Sequence, residues 1–214
     1  MTDLRVAKFF ALIFAVVGIV MMAGTAFLSF SSMDRPVTVL ENPDGAAQCS
    51  QDLQKHINDG NLTAAAQLLY GQPSFGAEDA PEDPCTAMLW EAFLDSMTLT
   101  YNGNLYLLDS ELARDGTITV LNVPAVIQSV QSRAQAILDL KEEAAQDRSE
   151  IYDADGNLRA DVSQQILQEA VTQALAQDAT TVTRDVTFRL IRREGQWWIL
   201  PDQTFLRTIT GQGA

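Results

Sequence analysis

The chain begins with one long, uncharged apolar segment and continues with mixed apolar and polar residues. From Phe9 to Phe30 no residue is charged and most are apolar. A helix of about 20 apolar residues, rising 1.5 Å per residue, crosses a hydrocarbon core about 30 Å thick. The pattern therefore predicts a transmembrane signal anchor within residues 1–33, a tether over 34–45, and one folded domain over 46–214.

The charges beside this apolar segment predict its orientation. Arg5 and Lys8 precede it, and basic residues next to a membrane segment stay in the cytoplasm. A secretory signal cleaved after Ala26 is the alternative, because Gly24 and Ala26 are small residues in the right place. The apolar run continues to Phe30, which favours an uncleaved single-pass anchor. Both interpretations place the C-terminal domain outside the cell membrane.

The first part of the domain has helical spacing of apolar residues. Three helices are expected, over 46–58, 62–70 and 84–96. Asn61 is expected to cap the second helix, which Gly71 ends.

The apolar spacing then changes from a helical period to a period of two. The alternation predicts antiparallel strands that end in a hairpin, followed by a short helix capped by Asp202. A bend is expected at Gly103, and a turn at Asp115-Gly116, because glycine and aspartate favour such positions. The predicted strands are 98–107, 117–123, 181–190 and 196–200.

Two further helices are predicted between the second and third strands, in an insertion over 124–177. Each carries an apolar stripe, so each must bury one face. We expect the pair to form an antiparallel hairpin packed against the domain, with residues 147–155 as its exposed tip. The fold class is therefore α+β, with three helices, a curved antiparallel sheet and an inserted helical pair.

Four stretches of the domain resemble the nuclear transport factor two-like superfamily, whose members are cystatin-like cones. The stretches are Ile57–Ala65, Trp90–Leu107, Gly195–Ile199 and Phe205–Gly211. The order of these motifs is similar to that of small, uncharacterised, membrane-anchored extracytoplasmic proteins of Gram-positive bacteria. The resemblance implies a concave sheet with Trp197 and Ile199 facing its interior. It implies little about function, since one fold serves many functions.

The net charge and the two cysteines add two further expectations, one about partners and one about a disulfide. The formal net charge is −14, which repels phosphate backbones and argues against nucleic acid. Cys49 and Cys85 both belong to the exported part. An even cysteine number there indicates one disulfide, and two reduced thiols are the alternative.

Few residues in the sequence suggest a catalytic or metal-binding role. Asp153-Ala154-Asp155-Gly156-Asn157 resembles a calcium loop, but Leu158 and Gln164 stand where that loop needs glycine and a bidentate glutamate. An Asp-Gly turn is therefore expected there. The sequence predicts no metal site and no cofactor.

Aromatic residues are the remaining candidates for a binding site. Tyr101 and Trp197 are expected inside the cone. Trp198, on the other face, is either covered by the helical insertion or exposed as a binding surface. The hypothesis favoured is a non-catalytic binding or scaffold domain, held at the membrane by its N-terminal helix, with an envelope protein or small ligand as partner. The alternative is an envelope isomerase or hydrolase that uses the cone as its pocket.

Overall fold

The computed structural model describes residues 43–71, 81, 83–109 and 111–209. The predicted transmembrane anchor over 1–33 and most of the predicted tether lie outside these residues. The alternative cleavage site after Ala26 also lies outside them. None of the helices in the described ranges has the length and apolar character needed to span a bilayer. The last part of the tether prediction is wrong, because a helix already begins at Pro43.

The described chain has an α+β fold with six helices and an antiparallel sheet. The helices are α1 Pro43–Asn58, α2 Leu62–Leu68, α3 Pro84–Ser96, α4 Val123–Ala144, α5 Ala160–Gln177 and α6 Gln203–Ile209. The strands are β1 Thr98–Tyr101, β2 Tyr106–Leu108, β3 Glu111–Leu121, β4 Thr181–Arg193 and β5 Gln196–Leu200. A short 3-10 helix occupies Arg148–Glu150.

The chain folds into two compact units. The sheet unit contains α1, α2, the five strands, α6 and the end of α3, whereas the helical unit contains α4, α5 and the beginning of α3. The strands follow the order β1-β3-β4-β5, and β2 also pairs with β3, so β1 and β2 share one edge. All of these pairings are antiparallel.

A side chain of α1 and the backbone that follows α2 cover the two edges of the sheet. On β1, the Asn58 side chain accepts from the Leu99 amide at 2.6 Å and donates to its carbonyl oxygen at 3.2 Å. On β5, the Ile199 carbonyl oxygen accepts from the Tyr70 amide at 2.8 Å. Unpaired edge groups invite pairing with other chains, so this cover protects the sheet. Both outer strands, β1 and β5, also contact α1.

The turn predicted at Asp115-Gly116 is wrong, because both residues lie within β3. Position 116 needs glycine because a larger side chain would not fit. A methyl group at Gly116 would lie 2.8 Å from the Thr100 carbonyl oxygen and 3.2 Å from the Tyr101 ring. Gly116 therefore allows β1 to lie close beside β3, and the chain instead reverses at Asp109, whose φ is +50°.

Most of the other predicted elements are confirmed. The interruption at Gly103 separates β1 from β2, and Asn61 caps α2 by accepting from the Ala64 amide at 3.0 Å. The β4–β5 hairpin turns at Glu194 and Gly195, both with positive φ. β4 continues three residues beyond its predicted end, to Arg193.

The predicted helical hairpin is confirmed, with α4 and α5 antiparallel in the helical unit. The Asn122 amide at the start of α4 donates to the Thr180 carbonyl oxygen after α5. Arg133 of α4 forms a 2.7 Å ion pair with Asp178, and Ser129 also hydrogen-bonds this carboxylate. These two groups, the Ser129 bond first, lower the pKa of Asp178. Packing of the hairpin against the rest of the domain stays a prediction.

Candidate functional sites

One face of the sheet carries buried aromatic and aliphatic side chains. Phe188 of β4 is fully buried between two other rings. Its centroid lies 5.6 Å from Tyr101 and 5.0 Å from Phe205 of α6, both edge to face. Trp197 and Ile199 of β5 are also buried, whereas Trp198 and Leu200 are half-buried. The strand therefore points Trp197 and Ile199 inward, as the sequence predicted.

Tyr101 is held in place by polar contacts at the rim of this core. Its hydroxyl donates to the Ser50 carbonyl oxygen at 2.9 Å. The Arg114 guanidinium lies 4.2 Å from the ring centroid and also donates to the Ser50 hydroxyl at 2.8 Å. Burial raises the pKa of Tyr101 far above its usual value. A hydroxyl that is both bonded and hard to ionise serves packing better than proton transfer.

Trp198 does not belong to this interior. Its ring meets Tyr70 edge to face at 6.4 Å, and Arg193 lies over the Tyr70 ring at 5.5 Å. These three residues form an aromatic and cationic cluster on the opposite face of β5. Whether the helical insertion covers Trp198 stays a prediction.

A tyrosine–carboxylate pair does occur, but at an exposed position on the sheet. Tyr106 donates to the Asp115 carboxylate at 2.8 Å, and Thr187 donates to the same oxygen at 2.7 Å. Nearby, Arg189 pairs with Glu111 at 3.1 Å and with Asp109 at 3.4 Å. Sequence alternation did not predict this network, because its members come together only through the β2-β3-β4 register. The hydrogen bond to Asp115 raises the pKa of Tyr106, whose side chain remains exposed.

Cys49 and Cys85 are both free and buried in the structure. They belong to different units, Cys49 to the sheet unit and Cys85 to the helical unit, and a disulfide between them stays a prediction. The Cys49 thiol donates to the Trp197 carbonyl oxygen at 3.6 Å. Burial, helped by the charge of Asp52, raises the pKa of Cys49 to about 11. Burial also raises the pKa of Cys85.

We expect both thiols to be unreactive in the folded protein. The thiolate is the reactive form, and raised pKa values suppress it. A colorimetric thiol titration without reductant should detect almost no thiol at neutral pH, and two per chain after unfolding in urea. The Cys49→Ser variant should give one thiol per chain after unfolding instead of two. Finding no thiol after unfolding would instead support the disulfide.

The same pKa shift makes stability depend on pH in the alkaline range. The unfolded Cys49 thiol loses its proton near pH 9, whereas the folded one retains it to about pH 11. The folded state then holds more protons, so stability should fall between these values. The Cys49→Ser variant should lose this part of the alkaline dependence.

The loop that resembles a calcium site is a hydrogen-bonded turn. The Asp153 carboxylate accepts from the Asp155 amide at 3.0 Å and from the Asn157 amide at 2.8 Å. These bonds lower the pKa of Asp153, and Gly156 has a φ of +76°. The predicted Asp-Gly turn is confirmed. The described part of the chain contains no cluster of three potential metal ligands.

An open groove of about 360 Å³ runs along the helical hairpin. Its α4 side carries Ala136, Leu140 and Ala144, and Glu169 and Gln173 of α5 line the other side. Leu140, near the C-terminal end of α4, is 66% exposed. The sequence contains a signal for this groove, because Ala136, Leu140 and Ala144 recur every four positions beside the buried apolar stripe of α4.

No protein-family model, curated protein or solved structure matches this chain. The resemblance to the nuclear transport factor two-like superfamily therefore stays a prediction from the sequence motifs.

Proposed function

We propose that this chain is a membrane-anchored, extracytoplasmic binding or scaffold domain with a nuclear transport factor two-like cone. The observation that supports the proposal is the buried aromatic cluster on one face of the sheet. In an enzyme of this shape the substrate would enter the space where Tyr101, Phe188 and Phe205 pack. Because these rings occupy that space, binding belongs on the outer surfaces instead.

The architecture of the sheet unit supports the cone. α1 contributes contacts to both β1 and β5, the two outer strands, and α6 packs on β3 and β4. A sheet whose edges meet one helix must curl around it. The anchor is supported by the apolar segment Phe9–Phe30 and by Arg5 and Lys8 before it.

Two measurements test the location. The full-length chain, tagged at its C-terminus, should remain in the membrane fraction after an alkaline carbonate wash. Protease added outside intact cells should digest the tagged domain. Release by carbonate would contradict the anchor, and protection in intact cells that is lost on lysis would contradict the orientation.

A third measurement separates the binding domain from the enzyme alternative. Small apolar and steroid-like ligands should leave the melting temperature of the full-length chain unchanged, because the interior is filled. A ligand that raises this temperature for the parent, but not for Tyr101→Phe, would favour a pocket enzyme.

A further inference from the structure

We propose that Asn102 is a site of spontaneous deamidation, a reaction that converts its side-chain amide to a carboxylate. Asn102-Gly103 is the one asparagine–glycine pair in the sequence. It directly follows β1, in the interruption that separates β1 from β2. Both residues belong to the sheet unit, so the proposal does not depend on the proposed function or on the membrane location.

The reaction needs only these two residues and water. Hydroxide takes the proton of the Gly103 backbone nitrogen, which then attacks the side-chain carbonyl carbon of Asn102. The new C–N bond closes a cyclic imide, while the side-chain nitrogen takes a proton from water and leaves as ammonia. Water then opens the imide at either carbonyl carbon, which gives aspartate or isoaspartate without any oxidation or reduction. Glycine favours the attack because, without a Cβ, its nitrogen is unhindered and its backbone rotates freely.

The structure leaves both reacting groups accessible. Asn102 and Gly103 are exposed, and neither belongs to a strand. Within the described part of the chain, no hydrogen bond holds the Asn102 side chain or the Gly103 amide. A methyl group on Gly103 would meet no atom within 4 Å, so no neighbour blocks the rotation that brings nitrogen to carbon. The φ of Gly103 is +142°, which other residues rarely adopt, so the backbone itself requires glycine at the attacking position.

The other asparagines of the described ranges lack one of these conditions. The Asn58 side chain hydrogen-bonds both backbone groups of one residue of β1. Asn61 and Asn122 are bonded as helix caps. Asn104 and Asn157 are exposed, but each precedes a leucine, whose side chain crowds the attacking nitrogen. Asn102 is therefore the asparagine at which sequence and structure both permit the reaction.

Both products change the end of β1. Each adds a negative charge at an exposed position, and isoaspartate also lengthens the main chain by one methylene group. This extra group falls between two hydrogen bonds to β3. The Asn102 amide donates to the Asp115 carbonyl oxygen at 2.9 Å. The Gly103 carbonyl oxygen accepts from the Arg114 guanidinium at 3.2 Å. We therefore expect isoaspartate to weaken this edge of the sheet more than aspartate does.

Peptide mapping tests the site. The full-length chain in mild detergent would be held at 37 °C at pH 7 and at pH 8, then digested at mildly acidic pH, where the reaction is slow. Tandem mass spectrometry would give the deamidated fraction at each asparagine. Asn102 should react at least tenfold faster than Asn104, which is also exposed and lies two residues later. The rate should rise several-fold from pH 7 to pH 8, because hydroxide activates the attacking nitrogen.

A synthetic peptide of residues 98–107 separates the effect of the fold from that of the sequence. The folded chain should react at Asn102 within tenfold of the rate in this peptide. The Asn102→Gln variant should show almost no reaction at this position and should melt like the parent, since the side chain is exposed and unbonded. A rate in the folded chain more than tenfold below that of the peptide, or a faster reaction at Asn104 or Asn157, would overturn the proposal.

Enzymatic repair tests the effect on the sheet. Isoaspartyl methyltransferase with its methyl donor converts isoaspartate to aspartate. Treatment of the aged parent should therefore raise its melting temperature to that of the Asn102→Asp variant. Aged Asn102→Gln chain, treated in the same way, is the matched control and should not change. If the parent also fails to change, although mapping shows the repair at position 102, the longer main chain does not weaken the edge and this consequence is wrong.

Discussion

Replacing Phe188 with alanine is expected to lower the free energy of unfolding by about 3–5 kcal/mol, the usual loss for a buried phenylalanine. Phe188 is fully buried and forms edge-to-face contacts with Tyr101 and Phe205. Its removal leaves a cavity at the centre of the sheet unit and separates α6 from the strands. The measurement is urea unfolding of the full-length chain in mild detergent, followed by tryptophan fluorescence.

The control for Phe188→Ala is Leu107→Ala, because Leu107 is a large apolar residue of the same unit that remains exposed. We expect this change to alter stability by no more than about 0.5 kcal/mol. If Phe188→Ala were as stable as Leu107→Ala, the aromatic cluster would not be the core of the sheet. That face of the sheet would then be open to a ligand, and the proposed function would lose its main support.

Leu167→Asp is expected to destabilise the helical unit by several kcal/mol, because it places a charge in an apolar interior. Leu167 lies on the buried face of α5. Circular dichroism at 222 nm should show loss of helix at lower urea concentration than in the parent. Ile137→Asp on α4 should act in the same direction, since Ile137 is also buried.

The control for Leu167→Asp is Gln168→Asp, which adds the same charge one residue later at an exposed position. This control should unfold like the parent. If Leu167→Asp and Ile137→Asp also unfold like the parent, the two helices do not hold each other. The hairpin would then be a mobile arm, and the apolar stripes of its two helices would be free to bind a partner protein.

The helices and the final hairpin were predictable because their signals are local. Asn61 hydrogen-bonds the Ala64 amide three residues away, and Glu194-Gly195 supplies the positive φ angles that a tight hairpin needs. Alternation placed Trp197 and Ile199 on one side of β5, and the family resemblance identified that side as the buried one. Each of these signals involves neighbours in the chain, so no knowledge of the fold is required.

The Asp115-Gly116 pair shows where local reasoning failed. Its residue types are typical of a turn. The decisive contacts come from other strands: the Thr100 carbonyl oxygen and Tyr101 ring leave room only for glycine, and Tyr106 and Thr187 bond Asp115. The surroundings of the two cysteines likewise depend on the fold. An even number of cysteines indicates a bridge, but only the fold determines which groups each thiol meets.

The sequence by itself determined the α+β class, the order of most elements and the inserted helical pair, since periodicity and capping act over a few residues. Tertiary structure decided which faces are covered, and so where binding can occur. The Tyr101–Phe188–Phe205 cluster unites residues from β1, β4 and α6, and the exposed groove exists only because α5 packs beside Leu140. Such contacts depend on chain segments far apart in sequence, whose approach no local pattern encodes.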